Sequence, residues 1–170
     1  SSGVERKIST LIFLPCNYAL KKAKEKKLKI IDATCPLVTK VHLQVQRHSK
    51  NKRVIVLIGH KNHPETIGTV GRIDDKVHIV ATTQDVLSLP LSSDEPISYS
   101  TQTTLSIDDT KEIITALKQR FTDIEGPEIQ NICYATQNRQ SAVKMLAANV
   151  DNILVIGSKN SSNSNRLRDI

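Results

Sequence analysis

Short continuous apolar runs alternate along this chain with longer stretches whose apolar residues recur every three or four positions. Leu11-Ile-Phe-Leu14 reads as a short buried strand, and residues 19–27, rich in good helix formers, as a helix. Leu28-Lys-Ile-Ile31 predicts the next strand. From Pro36 to Arg47 the spacing of Val38, Val41 and Val45 puts them on one helical face, with Pro36 at the favoured first turn. Val54-Ile-Val-Leu-Ile58 is apolar throughout, the pattern of a parallel strand buried on both faces. Val77-His-Ile-Val80 predicts another strand, followed by a short helix over 84–89. Ile97-Ser-Tyr-Ser100 continues the series. Ser106-Ile-Asp-Asp109 resembles a capping box for a helix whose apolar face is Ile113, Ile114, Leu117 and Phe121. A helix after Cys133 carries Val143, Leu146, Ala147 and Val150, and Ile153-Leu-Val-Ile156 predicts a last strand. Alternation of this kind specifies α/β units with parallel sheets.

Composition narrows the class. The 170 residues, 38% hydrophobic and only 3% aromatic, suffice for one ordinary domain or parts of several small ones with aliphatic cores. No apolar run reaches the length of a membrane span, and the polar start Ser1-Ser-Gly-Val-Glu-Arg-Lys7 shows no signal-peptide pattern. The expected location is the cytoplasm, or the plastid stroma in a plant or alga. Three cysteines in such a chain suit thiols or metal ligands better than a disulfide framework. The net charge of +7 admits an anionic partner. Much of it lies in Lys21-Lys-Ala-Lys-Glu-Lys-Lys27, which reads as a solvated helix face. No basic stripe interleaved with aromatics follows, so a nucleic-acid-binding module is the weaker alternative.

The polar clusters collect after the expected strands. Cys35 follows the strand at 28–31; Gly59-His-Lys-Asn-His63-Pro-Glu65 follows 54–58; Thr101-Gln-Thr-Thr104 follows 97–100; Gly157-Ser-Lys-Asn-Ser161-Ser-Asn163-Ser-Asn follows 153–156. Open parallel sheets bind ligands at the carboxyl ends of their strands. In the His loop, His60 and His63 can bind an anion or carry a proton, and Glu65 is close enough to donate one. A zinc site is the rival there, although neither a clear helix nor a cysteine pair accompanies the histidines. The hydroxyls and amides of 101–104 and 160–164 suit phosphate oxygens, where simple helix capping would need one such residue. No Cys-x-x-Cys, dinucleotide or P-loop fingerprint occurs. Cys35 and Cys133, each opening a polar segment, suit a shared metal or redox centre; the alternative for each is a small buried hydrophobe.

At these residues the chain resembles the 4-hydroxy-3-methylbut-2-enyl diphosphate reductases. The resemblance rests on Asp32-Ala-Thr-Cys-Pro-Leu-Val-Thr-Lys-Val-His42, on Ile58-Gly-His-Lys-Asn-His-Pro-Glu65 with Gly68-Thr69, and on Thr101-Gln-Thr-Thr-Leu-Ser106. It rests also on Ile132-Cys-Tyr-Ala-Thr136 with Asn138-Arg-Gln140, and on Val155-Ile-Gly-Ser-Lys-Asn-Ser-Ser-Asn-Ser-Asn-Arg-Leu167. It implies a trefoil-like arrangement of three small parallel-sheet α/β lobes around a [4Fe–4S] cluster with one iron open to substrate. It makes Cys35 and Cys133 two of three metal ligands, Glu65 the proton donor and Thr103 a hydroxyl in the proton relay. His63, Ser161, Ser162 and Asn163 become diphosphate contacts. The implied partners are the allylic diphosphate substrate and a ferredoxin- or flavodoxin-like electron donor.

The departures define the alternatives. The family's first cysteine ligand and another diphosphate-binding histidine would precede residue 1, and a further serine would follow Ile170. An Ala-His-Gly-like turn expected after the first strand reads Leu14-Pro-Cys16-Asn-Tyr18 here, so Cys16 is not the missing ligand by motif. The expected organisation is the end of a first lobe over 1–35, a complete middle lobe over 36–131 and the start of a third over 132–170. The chain reads as an internal fragment or truncated copy, either a reductase or a cluster-free remnant of one.

Overall fold

The computed structural model describes residues 10–13, 17–32, 34–127, 132–159 and 161–170. The apolar run at 54–58 becomes β3 (Val54–Ile58), the centre of a four-stranded parallel sheet of order β4-β3-β5-β6, with β4 (Val77–Val80), β5 (Ile97–Thr101) and β6 (Ile124–Glu125). The register pairs Ile55 with Val77 and Ser98, and Ile58 with Val80 and Thr101. Side chains alternate across a strand, so β3 feeds two cores. Val56 and Ile58 join Val86, Leu89, Ile113, Ile114, Leu117 and Phe121 on one face. Ile55 packs with Val41 and Val45 on the other. The first face is covered by α4 (Thr83–Leu87) and α5 (Ile107–Arg120), the second by α2 (Pro36–Lys50).

Ahead of this sheet, β1 (Thr10–Phe13) and β2 (Lys29–Asp32) pair in parallel around α1 (Asn17–Glu25). The lysine run on and after α1 is exposed around buried Ala23, as a solvated face should be. The chain closes with α6 (Tyr134–Ala147) and α7 (Ser162–Asp169).

Four expectations need correction. The run 153–156 forms no strand: Leu154 is 85% and Ile156 88% exposed, and an extended segment without a neighbouring strand has no ladder to join. The apolar side of α6 is not core either. Leu146 and Val150 are exposed, whereas Thr136 and Gln140 are buried, because polar bonds and not apolar packing dock this helix. The His loop does lead into a helix, α3 (Pro64–Val70), started by Pro64 and capped by the His63 ring. Finally, the complete capping box is Thr82 with Asp85; Ser106 accepts from Asp109 N, but the Asp109 carboxylate turns to Arg166.

Candidate functional site

The sheet order places a topological switch between β3 and β5. The chain leaves β3 toward β4 on one side and leaves β5 toward β6 on the other, which opens a crevice at their shared carboxyl edge. Two of the four polar clusters issue there, the His loop and residues 102–106. Cys35 instead follows β2 of the smaller sheet, and the serine-rich block follows the unpaired 153–156 segment.

Glu65 and Thr103 meet at the base of this crevice. The Glu65 carboxylate accepts from Thr103 N at 2.8 Å and from Thr103 Oγ1 at 3.0 Å. Both residues are buried, Glu65 being only 7% exposed. Burial disfavours the carboxylate and raises the Glu65 pKa; the two Thr103 bonds pull the other way and do not cancel it. A carboxyl held toward its protonated form beside a hydroxyl is suited to giving up a proton.

His63 faces the same region from the start of α3. Its Nδ1 accepts from Glu65 N at 3.2 Å, which leaves Nε2 to carry the proton of the neutral ring. Burial, and after it His60, lowers the His63 pKa. Burial and then Arg166 lower that of His60. His60 and His63 line a cavity of about 910 Å³ together with Lys159, Ser162 and Arg166.

The serine-rich block reaches this cavity through α7. Ser161 is its N-cap and accepts from Ser164 N, so one hydroxyl of the block is a helix cap. Ser162 Oγ lies 3.3 Å from both the hydroxyl and the carbonyl of Thr104. Asn163 Oδ1 is buried and has no partner among the described residues. An orphaned acceptor calls for a donor, so a diphosphate at this point would be met by the Asn163 Nδ2 group and not by Oδ1.

Cys133 is tied to the centre by its backbone, donating to Thr103 O at 2.9 Å. Cys35 and Cys133 are alike: each is the N-cap of a helix, with φ −55° and ψ of 136° and 131°, and neither uses its sulfur as a cap. Cys35 is exposed and Cys133 half-buried. Both sulfurs are free and stand at helix N-termini. Among the described residues no group of three or more His, Cys, Asp or Glu could by itself hold a metal ion. Cys16 lies outside the described residues, as does Asn160.

Two buried amides organise these parts: Gln102, which its polar cluster had suggested as a phosphate contact, is instead spent on internal bonds, and Gln140 had been given no role. Gln102, 1% exposed, accepts through Oε1 from His60 N at 3.1 Å and from Thr66 Oγ1 at 3.4 Å, and donates through Nε2 to Thr104 Oγ1 at 2.9 Å. Gln140 of α6 donates to Leu105 O at 2.9 Å and accepts from Ile107 N at 3.3 Å. Both stand inside the motifs quoted above, the only sign the sequence offered.

Comparison with known proteins agrees with the motifs. The family model described as LytB protein matches residues 17–170. The 4-hydroxy-3-methylbut-2-enyl diphosphate reductase of Wolbachia pipientis subsp. Culex pipiens is 56% identical over 148 residues, 87% of this chain and 48% of that protein. The enzyme of the same name from Zymomonas mobilis is 55% identical over 88% of this chain and 44% of its own length. A solved structure of the Plasmodium falciparum E-1-hydroxy-2-methyl-but-2-enyl-4-diphosphate reductase superposes with a TM-score of 0.87 at 43% identity, covering 93% of this chain and 51% of the other. The chain thus spans about half the length of the curated relatives it matches. With residues 17–170 matched by the family model, the chain belongs to the LytB family.

Proposed function

We propose that this chain is the central part of a 4-hydroxy-3-methylbut-2-enyl diphosphate reductase, acting in isoprenoid biosynthesis by the non-mevalonate route. The observation that carries the reading is the buried Glu65–Thr103 pair beside His63 at the sheet's switch point. In the reaction, two electrons and two protons replace the allylic hydroxyl of the substrate by hydrogen and release water, giving isopentenyl or dimethylallyl diphosphate. His63, Ser161, Ser162 and Asn163 bind the diphosphate and fix the reacting end toward Thr103. Glu65, held toward its protonated form, supplies a proton through the Thr103 hydroxyl. The burial of Glu65 and Thr103 shelters this proton path from bulk water. Cys35 and Cys133 are the residues that would hold a [4Fe–4S] cluster, which would supply electrons and Lewis acidity. A ferredoxin- or flavodoxin-like protein donates the electrons. Of the three-lobe division at 1–35, 36–131 and 132–170, the first boundary is supported by the separate sheets on either side of Cys35; residues 132–170 contribute two helices and no strand among the described residues.

The test is anaerobic iron and sulfide reconstitution of the chain, read by Mössbauer spectroscopy, followed by turnover with a reduced viologen dye. A four-iron signal lost in Cys133→Ser, with product formation lost in Glu65→Gln, is the expected result. A folded chain that gains no signal supports the second reading, a cluster-free remnant. Among the described residues neither thiol belongs to a group of three or more metal-ligating side chains.

A further inference from the structure

The segments of the candidate site are not all held in the same way. The His loop and residues 102–106 leave neighbouring, hydrogen-bonded strands, so the sheet fixes their separation. α7 has no such foundation: residues 152–158, which lead into it, join no ladder. Its seat over the His loop depends on side chains. At its first turn Ser162 meets Thr104. One turn later Arg166 spans two elements: one guanidinium nitrogen donates to the Asp109 carboxylate at 3.3 Å and another to His60 Nε2 at 3.3 Å. Asp109 stands in the first turn of α5, and His60 begins the loop that ends at His63 and Glu65. The Arg166 side chain is 24% exposed, so this bridge is partly sheltered from solvent.

We infer that Arg166 is a positioning residue, which latches α7 to α5 and to the His loop and thereby sets the distance between Ser161–Asn163 and His63 across the cavity. This rests on the proposed diphosphate site. A planar guanidinium can hold two partners in fixed directions, whereas an ammonium on a flexible stem is a single point of attachment. Asp109 therefore acts on the cavity only through Arg166. The competing role, direct contact between Arg166 and the anion, would have Asp109 as a competitor for the guanidinium and not as its anchor.

Calorimetric binding of inorganic pyrophosphate to the 170-residue chain separates the two roles. With positioning, Arg166→Ala weakens binding about tenfold, Asp109→Asn weakens it by several-fold, and the double variant is no weaker than Arg166→Ala alone, since both cut one connection. Unchanged or tighter binding by Asp109→Asn overturns the inference. Amide hydrogen exchange reads the latch without any ligand. Amides of Ser164 to Asp169 should exchange faster in Arg166→Ala while those of β3 stay protected; unchanged α7 exchange overturns the inference. If the unsubstituted chain binds no pyrophosphate, the diphosphate reading fails and hydrogen exchange still decides the latch. Should Arg166→Ala unfold, Arg166→Lys takes its place in both measurements, with the same outcomes expected because charge is kept and the two-armed bridge is not.

Discussion

Glu65 shows how one side chain can be pushed toward a task by its surroundings. Burial raises its pKa, so the folded chain keeps the Glu65 proton to a higher pH than the unfolded chain does. Such a group adds stability at low pH that is lost as pH rises through its raised folded value. Glu65→Gln cannot ionise. The difference in unfolding temperature, variant minus parent, should therefore grow as pH is raised from 4 to 8; a flat difference would remove the argument for a protonated donor. His63, His60 and His48 have lowered values, and each loses stability as pH falls below its unfolded value, so the comparison must be made as a difference. Gly126 marks a different constraint. A Cβ there would lie 2.3 Å from Cε1 of the buried Tyr99 ring. The ring is packed in the main core and yields only at a cost. Gly126→Ala should cost about 1–3 kcal/mol in urea unfolding, the usual range for overpacking.

At the scale of elements, caps and close approaches decide where helices sit. Thr82 and Asp85 satisfy each other's backbone at the start of α4, beside the end of β3 but bonded to none of the candidate diphosphate contacts. Thr82→Ala should destabilise by about 1 kcal/mol in urea unfolding and leave pyrophosphate affinity unchanged. Gly157 should behave in the opposite manner. A Cβ there would fall 2.2 Å from Ser164 Oγ and 2.5 Å from Ser164 Cβ. Because α7 holds its place through side chains, Gly157→Ala should shift the helix before it unfolds the chain. Pyrophosphate binding should weaken at least fivefold, with a urea midpoint close to the parent's; equal affinity would mean that α7 accommodates the methyl without moving Ser161 and Ser162.

For the whole molecule, the notable surface is the apolar one left open by α6 and the segment after it. Met145, Leu146, Leu154 and Ile156 are between 55% and 88% exposed. Exposed apolar side chains of this size favour association and dye binding. Leu146→Lys with Leu154→Lys should reduce binding of a hydrophobic fluorescent dye and raise solubility, with little change in the thermal midpoint, because neither residue belongs to a core cluster. A large fall in the midpoint would show that the face is packed in solution. No helix among the described residues is long and apolar enough to cross a membrane.

Much of this was legible in the chain itself. The sequence determined the parallel α/β class, because the apolar run 54–58 and the three- and four-spaced residues of α2 and α5 admit few other arrangements. It also marked the motifs, since hydroxyls, amides, histidines and thiols gathered in loops have little to do in a core. Local pattern misled where burial was assumed: 153–156 and the apolar side of α6 carry the periodicity of packed elements, yet a strand needs a neighbour and a face needs a cover, and neither is encoded locally. α3 was missed because His63 is an uncommon cap. The strand order, and with it the crevice between β3 and β5, emerged only from tertiary structure, as did the Glu65–Thr103 pair, the Gln102 hub and the Arg166 bridge. These join residues tens of positions apart, and their chemistry depends on distance and burial, which no local spacing specifies.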